Sequence, residues 1–155
     1  MASVDDNGSY CTSVAAHYEQ VWNRSGKRCN WRRGPTGKLP HDFSVQEFAP
    51  CALRNMWTYA TVCMSQPRDE GRIELHLHSR VADEGLVEML TAIAHYHRTG
   101  ARLNIGHTVN FGRPWQADSV CTHGLISLPY LDGPALEIGK FDEVMVRFLW
   151  LVPIT

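Results

Sequence analysis

The clearest pattern of apolar and polar positions lies between Ala82 and Thr99. Leu86, Met89, Leu90, Ile93, Ala94 and His97 recur at the three- and four-residue spacing of one helical stripe, and Gly100 stands where a helix-ending glycine is expected. A second helix is predicted over Tyr10–Asn23, where Val14, His17, Tyr18, Val21 and Trp22 share a face. Glycine and proline in "RGPTGKLP", Arg33–Pro40, then break the chain.

Alternation with a period of two is cleanest in "RIELHLHS". Ile73, Leu75 and Leu77 point one way and Glu74, His76 and His78 the other, which predicts a strand with one dry face and one polar face. "MWTYATVCMS" is rich in β-branched and aromatic residues and predicts another strand. Shorter strands are expected across Phe43–Phe48, near His107–Phe111 and near Gly124–Leu128. The last stretch, Val144–Ile154, is apolar on both faces apart from Arg147, as a central strand covered on two sides is. Strands gathered around one strong helix, without strict strand-helix-strand alternation, predict an α+β fold. Its mixed, mostly antiparallel twisted sheet packs against one main helix plus an N-terminal helix.

Composition narrows what such a domain does. A chain of 155 residues with no apolar run long enough to span a bilayer reads as one globular domain overall, with no membrane role. Acidic and basic residues nearly cancel, giving a formal net charge of -1, and no long basic stripe is present, so a nucleic-acid partner is disfavoured. The densest basic patch, Arg24–Gly34, sets Lys27, Arg28, Arg32 and Arg33 around Trp31. It reads as a solvated linker, with an RNA contact as the weaker option. Cys11, Cys29, Cys51, Cys63 and Cys121 include no Cys-x-x-Cys pair and read as reduced thiols. "MASVDDNGSY" carries no secretion pattern, so a cytoplasmic location is expected.

Eight histidines raise a metal hypothesis. His76 and His78 share a strand face and could bind one ion, with His123 or His107 as a third ligand and Glu74 as general base. That arrangement gives a metal-dependent hydrolase or nuclease as the alternative function. No His-Glu-x-x-His, Gly-x-Ser-x-Gly or phosphate-cradling glycine loop accompanies it, so the pair reads instead as the polar face of a sheet. His95 and His97 diverge by about 200° on a helix. His97 falls in the apolar stripe, where a histidine bonded to a backbone group is expected. Cys63 and Cys121 read as inert. Trp115 and Tyr130 lie in loops beside Pro114 and Pro129, as rigid anchors or exposed contacts.

Seven pieces in order, "LPHDFSVQEF", "WTYATVCMS", "RIELHLHS", "LTAIAHYHRTG", "GHTVNFGRPW", "LISLPYLDGP" and "VRFLWLVPIT", resemble the suppressor of fused family, in particular its small bacterial members. The resemblance covers Leu39–Thr155 and divides the chain into an N-terminal helix and basic linker, 1–34, and a suppressor-of-fused-like domain, 35–155. Family members usually carry a glycine where this chain has Cys63. The resemblance implies a non-enzymatic protein-binding module without a cofactor, gripping a short peptide that adds to a sheet edge. For the bacterial members it implies an immunity protein that neutralises a polymorphic toxin. Tyr59, and more loosely Asp69, correspond to the family's peptide-binding region. With Trp115, Tyr130 and Asp132 they form the expected partner-binding set.

Overall fold

The computed structural model describes residues 4–34 and 36–155. Pro35, within the predicted break, and Met1–Ser3, within the N-terminal stretch, lie outside the described residues. In chain order the elements are α1 Val4–Trp22, β1 Lys27–Cys29, β2 Ser44–Phe48, β3 Trp57–Val62, β4 Ile73–Ser79, α2 Glu84–Thr99, β5 Thr108–Asn110, β6 His123–Ser127, α3 Pro134–Glu137, β7 Ile138–Phe141 and β8 Val144–Ile154.

The strands form one sheet in the order β1-β2-β3-β4-β8-β6-β5, with β7 also paired to β8. Among the described residues only β4 and β8 run parallel, with His76 opposite Trp150; every other pairing is antiparallel. The α+β reading with a mixed, mostly antiparallel sheet therefore holds. β8 is central, as its apolar faces require.

Two helical layers enclose the sheet. Leu86, Leu90, Ile93 and Ala94 of α2 pack on Val45, Tyr59, Leu75, Leu77, Leu149 and Leu151. On the opposite face Val14, Tyr18 and Trp22 of α1, with Leu136 of α3, pack on Phe48, Ala60, Val62, Val146 and Phe148. This second layer corrects the expectation for β4. Its supposedly wet face lies under α1, so Glu74 and His76 are 0% exposed and His78 is 9% exposed.

The α2 boundaries follow from local chemistry. The Asp83 carboxylate accepts the Gly85 N–H at 2.8 Å, and the Gly100 N–H reaches the Tyr96 carbonyl at 2.7 Å. His97 is buried in the stripe and its Nδ1 accepts the Leu103 N–H at 2.9 Å, as a core histidine should. Burial, reinforced by Arg98, lowers its pKa from 6.5 to about 4. Because the folded value lies below the unfolded one, its contribution is complete above the unfolded pKa and is lost as pH falls toward the folded one. His97→Asn keeps an acceptor for Leu103 but cannot titrate. Denaturant titrations across that window should show the variant losing on the order of 2 kcal/mol less than wild type. Equal losses would contradict this assignment.

Three short elements, β1, α3 and β7, escape the sequence pattern. β1 sits in the basic stretch expected to be a solvated linker, pairing Lys27 with Glu47, Arg28 with Gln46 and Cys29 with Val45. Gly26 permits the approach, since a Cβ there would lie 2.8 Å from the Phe48 ring. Lys27 and Arg28 stay exposed, as a solvated stretch should, but Arg24 is half-buried. Its guanidinium bonds the Ala49 carbonyl and the Thr58 hydroxyl and lies 5.4 Å from the centre of the Phe48 ring.

The thiols are corrected as well: Cys11 of α1 and Cys63 form a disulfide, while Cys29, Cys51 and Cys121 are free. Cys63 directly follows β3 with φ +67°, at the position where the resemblance sets a glycine. A cytoplasmic location was inferred partly from reduced cysteines, and the bridge withdraws that support. Among the described residues no helix is long and apolar enough to cross a membrane.

Candidate functional site

Two places in the fold gather side chains able to act on another molecule. The first is an apolar groove on the α2 side of the sheet. Met89, Ile93 and Tyr96 of α2 face Val109 of β5 and Phe111 and Trp115 of the following loop across a cavity of about 980 Å³. β5 ends the strand order, so one of its edges is unpaired. Phe111 N–H bonds the Thr122 carbonyl at 2.8 Å and Ile126 N–H bonds the His107 carbonyl at 2.9 Å. With that alternation, the backbone groups of Thr108 and Asn110 point to the free edge.

The loop forming the far wall is held firmly. Trp115 Nε1 donates to Ser119 Oγ at 2.9 Å, and Gln116 Nε2 donates to Ser79 Oγ at 2.7 Å and to Asp83 Oδ2 at 3.5 Å. Asp83 is fixed in turn by its own N–H, which bonds the Tyr59 hydroxyl at 2.8 Å. That hydroxyl donates to Glu47 at 2.9 Å, and Tyr59 is 0% exposed. Tyr59 therefore offers no free surface and acts on the groove only through Asp83. Trp115, by contrast, is half-buried in the groove wall.

The second place is a buried polar cluster beneath α1. Asp132 Oδ1 accepts the Trp22 indole N–H at 2.9 Å and pairs with Arg54 at 2.6 Å. Its Oδ2 lies 3.6 Å from His76 Nε2 and 3.9 Å from His78 Nε2. Thr58 Oγ1 is 2.9 Å from His78 Nδ1. Both nitrogens of His76, and Asp132 Oδ2, have no hydrogen-bond partner.

Burial holds the His76 pKa below the ordinary imidazole value and, reinforced by the neighbouring His76 and Arg54, brings His78 to about 3. Burial alone would raise the Asp132 pKa, but the adjacent His76 ring, the Arg54 guanidinium and the Trp22 indole N–H overcome it and hold the carboxyl far below its usual range. Near neutral pH the cluster thus contains two neutral imidazoles, one carboxylate and one guanidinium.

The remaining candidates lie elsewhere. His123 is half-buried on β6, opposite Ile154, with Nδ1 2.9 Å from Thr122 Oγ1. His107 is exposed in a turn. The side chains that converge on His76 and His78 are those of Asp132, Arg54 and Trp22, and neither of the two other histidines is among them. Glu74 is no free base. Burial pushes its pKa up to about 8, and its carboxyl oxygens accept from Thr61 Oγ1 at 2.9 Å, Met64 N–H at 3.0 Å and Ser65 N–H at 3.2 Å.

Asp69 is 8% exposed, paired with Arg98 and accepting the Gln66 N–H at 2.9 Å, so it clasps a turn to the end of α2. Tyr130 is 74% exposed, on the loop that brings Asp132 to Trp22. Sequence reasoning named Asp132 as a surface partner and missed Trp22 and Arg54 as its neighbours. No spacing signal joins residues 22, 54 and 132.

Comparison with known proteins agrees with this architecture. A family model described as suppressor of fused protein matches residues 40–155. The chain is similar to the crystal structure of a proposed suppressor of fused homolog from Neisseria gonorrhoeae, with 32% identity, a TM-score of 0.81 and coverage of 96% of this chain and 79% of that one. Drosophila Suppressor of Fused shares the fold at 16% identity and a TM-score of 0.63, over 94% of this chain and 42% of the fly protein. No curated protein sequence gives a significant match. The chain belongs to the suppressor of fused family.

Proposed function

We propose that this chain is a non-enzymatic protein-binding module that holds an extended polypeptide segment in the groove between α2 and β5, and that it serves as an immunity protein against a toxin. The observation that carries this reading is the free β5 edge alongside an apolar trough. An extended segment laid there gains backbone hydrogen bonds from the edge and pockets for alternate side chains from the trough. Trp115 supplies a rigid aromatic anchor of the kind that dominates protein interfaces. Arg113 and Glu88, 3.5 Å apart and both exposed, stand on opposite sides of the groove. Such a pair is weak and parts readily to admit a ligand. The hydrolase reading needs His123 or His107 beside His76 and His78 and a free Glu74, whereas the fold brings neither histidine there and engages Glu74 with three donors. That weighs against the hydrolase reading.

Two substitutions separate groove binding from a merely structural edge. Thr108→Pro removes one outward N–H and no ladder bond. It should weaken the captured partner by about tenfold and leave the melting temperature unchanged. Trp115→Ala should weaken it by at least about thirtyfold. Affinity untouched by both would place the binding surface elsewhere. For the immunity role, the captured partner should arrest growth when expressed alone and be tolerated when this chain is co-expressed. A partner harmless on its own would contradict that role while leaving the binding reading intact.

A further inference from the structure

We infer that His76, His78 and Asp132 form a binding site for one first-row divalent cation of the zinc class, and that the bound ion fastens α1 to the sheet. Three features of the cluster carry this. The ligating atoms already sit close to the required geometry. A tetrahedral ion at about 2.0–2.2 Å from nitrogen and oxygen sets its ligands about 3.4 Å apart. His76 Nε2 and His78 Nε2 lie 3.6 and 3.9 Å from Asp132 Oδ2, and the three ligand atoms fall within 4.8 Å of one another. Side-chain rotations that shorten the widest separation, at most 4.8 Å, toward about 3.4 Å close the remainder.

The donors also lack other employment. His76 is 0% exposed, with neither ring nitrogen hydrogen-bonded, and Asp132 Oδ2 is equally unpartnered. Three polar atoms buried together without partners leave a desolvation cost unrecovered. An ion bound by His76 Nε2 and Asp132 Oδ2 recovers the share of those two atoms, and a hydrophobic cluster of the same shape would never have incurred it.

The surrounding residues are arranged as outer-sphere supports. Trp22 Nε1 and Arg54 both bind Asp132 Oδ1, leaving Oδ2 for the ion. Thr58 Oγ1 at His78 Nδ1 fixes the tautomer that presents Nε2. Arg54 Nη1 stands 3.4 Å from His78 Nε2 and must swing aside when the ion enters. Its side chain is 17% exposed, so the same movement gives solvent access and a water as fourth ligand. Because Trp22 belongs to α1 and Asp132 to the loop before α3, the ion draws together elements distant in sequence. The site is structural and independent of the groove.

The test uses the full chain, freed of metal by chelator and titrated with zinc or with cobalt as a spectroscopic probe. Saturation at one equivalent is expected, with a rise in melting temperature. The imidazole ¹⁵N resonances of His76 and His78 should shift on zinc addition to wild-type protein, a readout that needs no variant. Asp132→Asn should weaken binding at least about a hundredfold and Thr58→Val about tenfold, while His107→Ala and His123→Ala should change nothing. Three results would overturn the site: no saturable binding, shifts confined to other histidines or to cysteines, or unaltered affinity in a folded Asp132→Asn protein.

Discussion

Glu74→Ala should be the most damaging single substitution in the sheet, lowering stability by about 3–5 kcal/mol. The side chain is 0% exposed in β4 and gathers three donors, the Thr61 hydroxyl and the Met64 and Ser65 N–H groups. Those groups lie where β3 ends and the chain turns toward β4, and the Ser65 hydroxyl is itself exchanged with the Ile73 backbone. Alanine leaves the donors buried without acceptors. Each costs about 1–3 kcal/mol, offset in part by water entering the space. Glu74→Gln retains one acceptor oxygen and turns its amide toward Ser65, so a smaller loss of about 1–3 kcal/mol is expected. Equilibrium urea unfolding of the three proteins decides the matter. An alanine variant within about 0.5 kcal/mol of wild type, the usual range for surface changes, would show that the carboxylate is not the anchor of this turn.

Reducing the Cys11–Cys63 bridge should cost about as much. The bridge spans 52 residues, and closing a loop of that length removes about 4 kcal/mol of chain entropy from the unfolded state. Cys11→Ala should match the reduced wild type. Cys63→Gly should lose about 1 kcal/mol less, because glycine accepts the φ of +67° that a cysteine holds only under constraint. Unfolding with and without a thiol reductant measures the first effect, and comparison of the two variants measures the second. Stability indifferent to reductant would remove the bridge from the account.

The sequence pattern located the principal helices and strands because each carries its own periodicity. α2 and β8 are examples: the first has an unbroken apolar stripe, the second two apolar faces. Strand alternation also placed Glu74, His76 and His78 on one side. It could not say what covers that side, because the answer depends on where α1 docks, and α1 is joined to β4 by no local signal. The same gap hid the disulfide. β1 escaped because three residues of an edge strand, two of them exposed and basic, have no apolar period to read. The groove was half legible. Trp115 stood out as a loop aromatic beside proline, but its partners Met89, Ile93 and Tyr96 come from α2 and meet it only in the folded chain. Tyr59 matched a family motif, yet its hydroxyl is spent inside the protein on Glu47 and Asp83.

The central claim, that the groove receives another polypeptide, is tested most directly by a photo-activated aromatic crosslinking residue placed at position 96, where Tyr96 lines the groove and is 47% exposed, in the producing host. Leu53, 90% exposed on a loop outside the groove lining, provides the control position. One protein adduct at position 96, near stoichiometric and absent at position 53, is the result expected of a binding groove. No protein adduct at 96, or the same diffuse set of adducts at both positions, would contradict it.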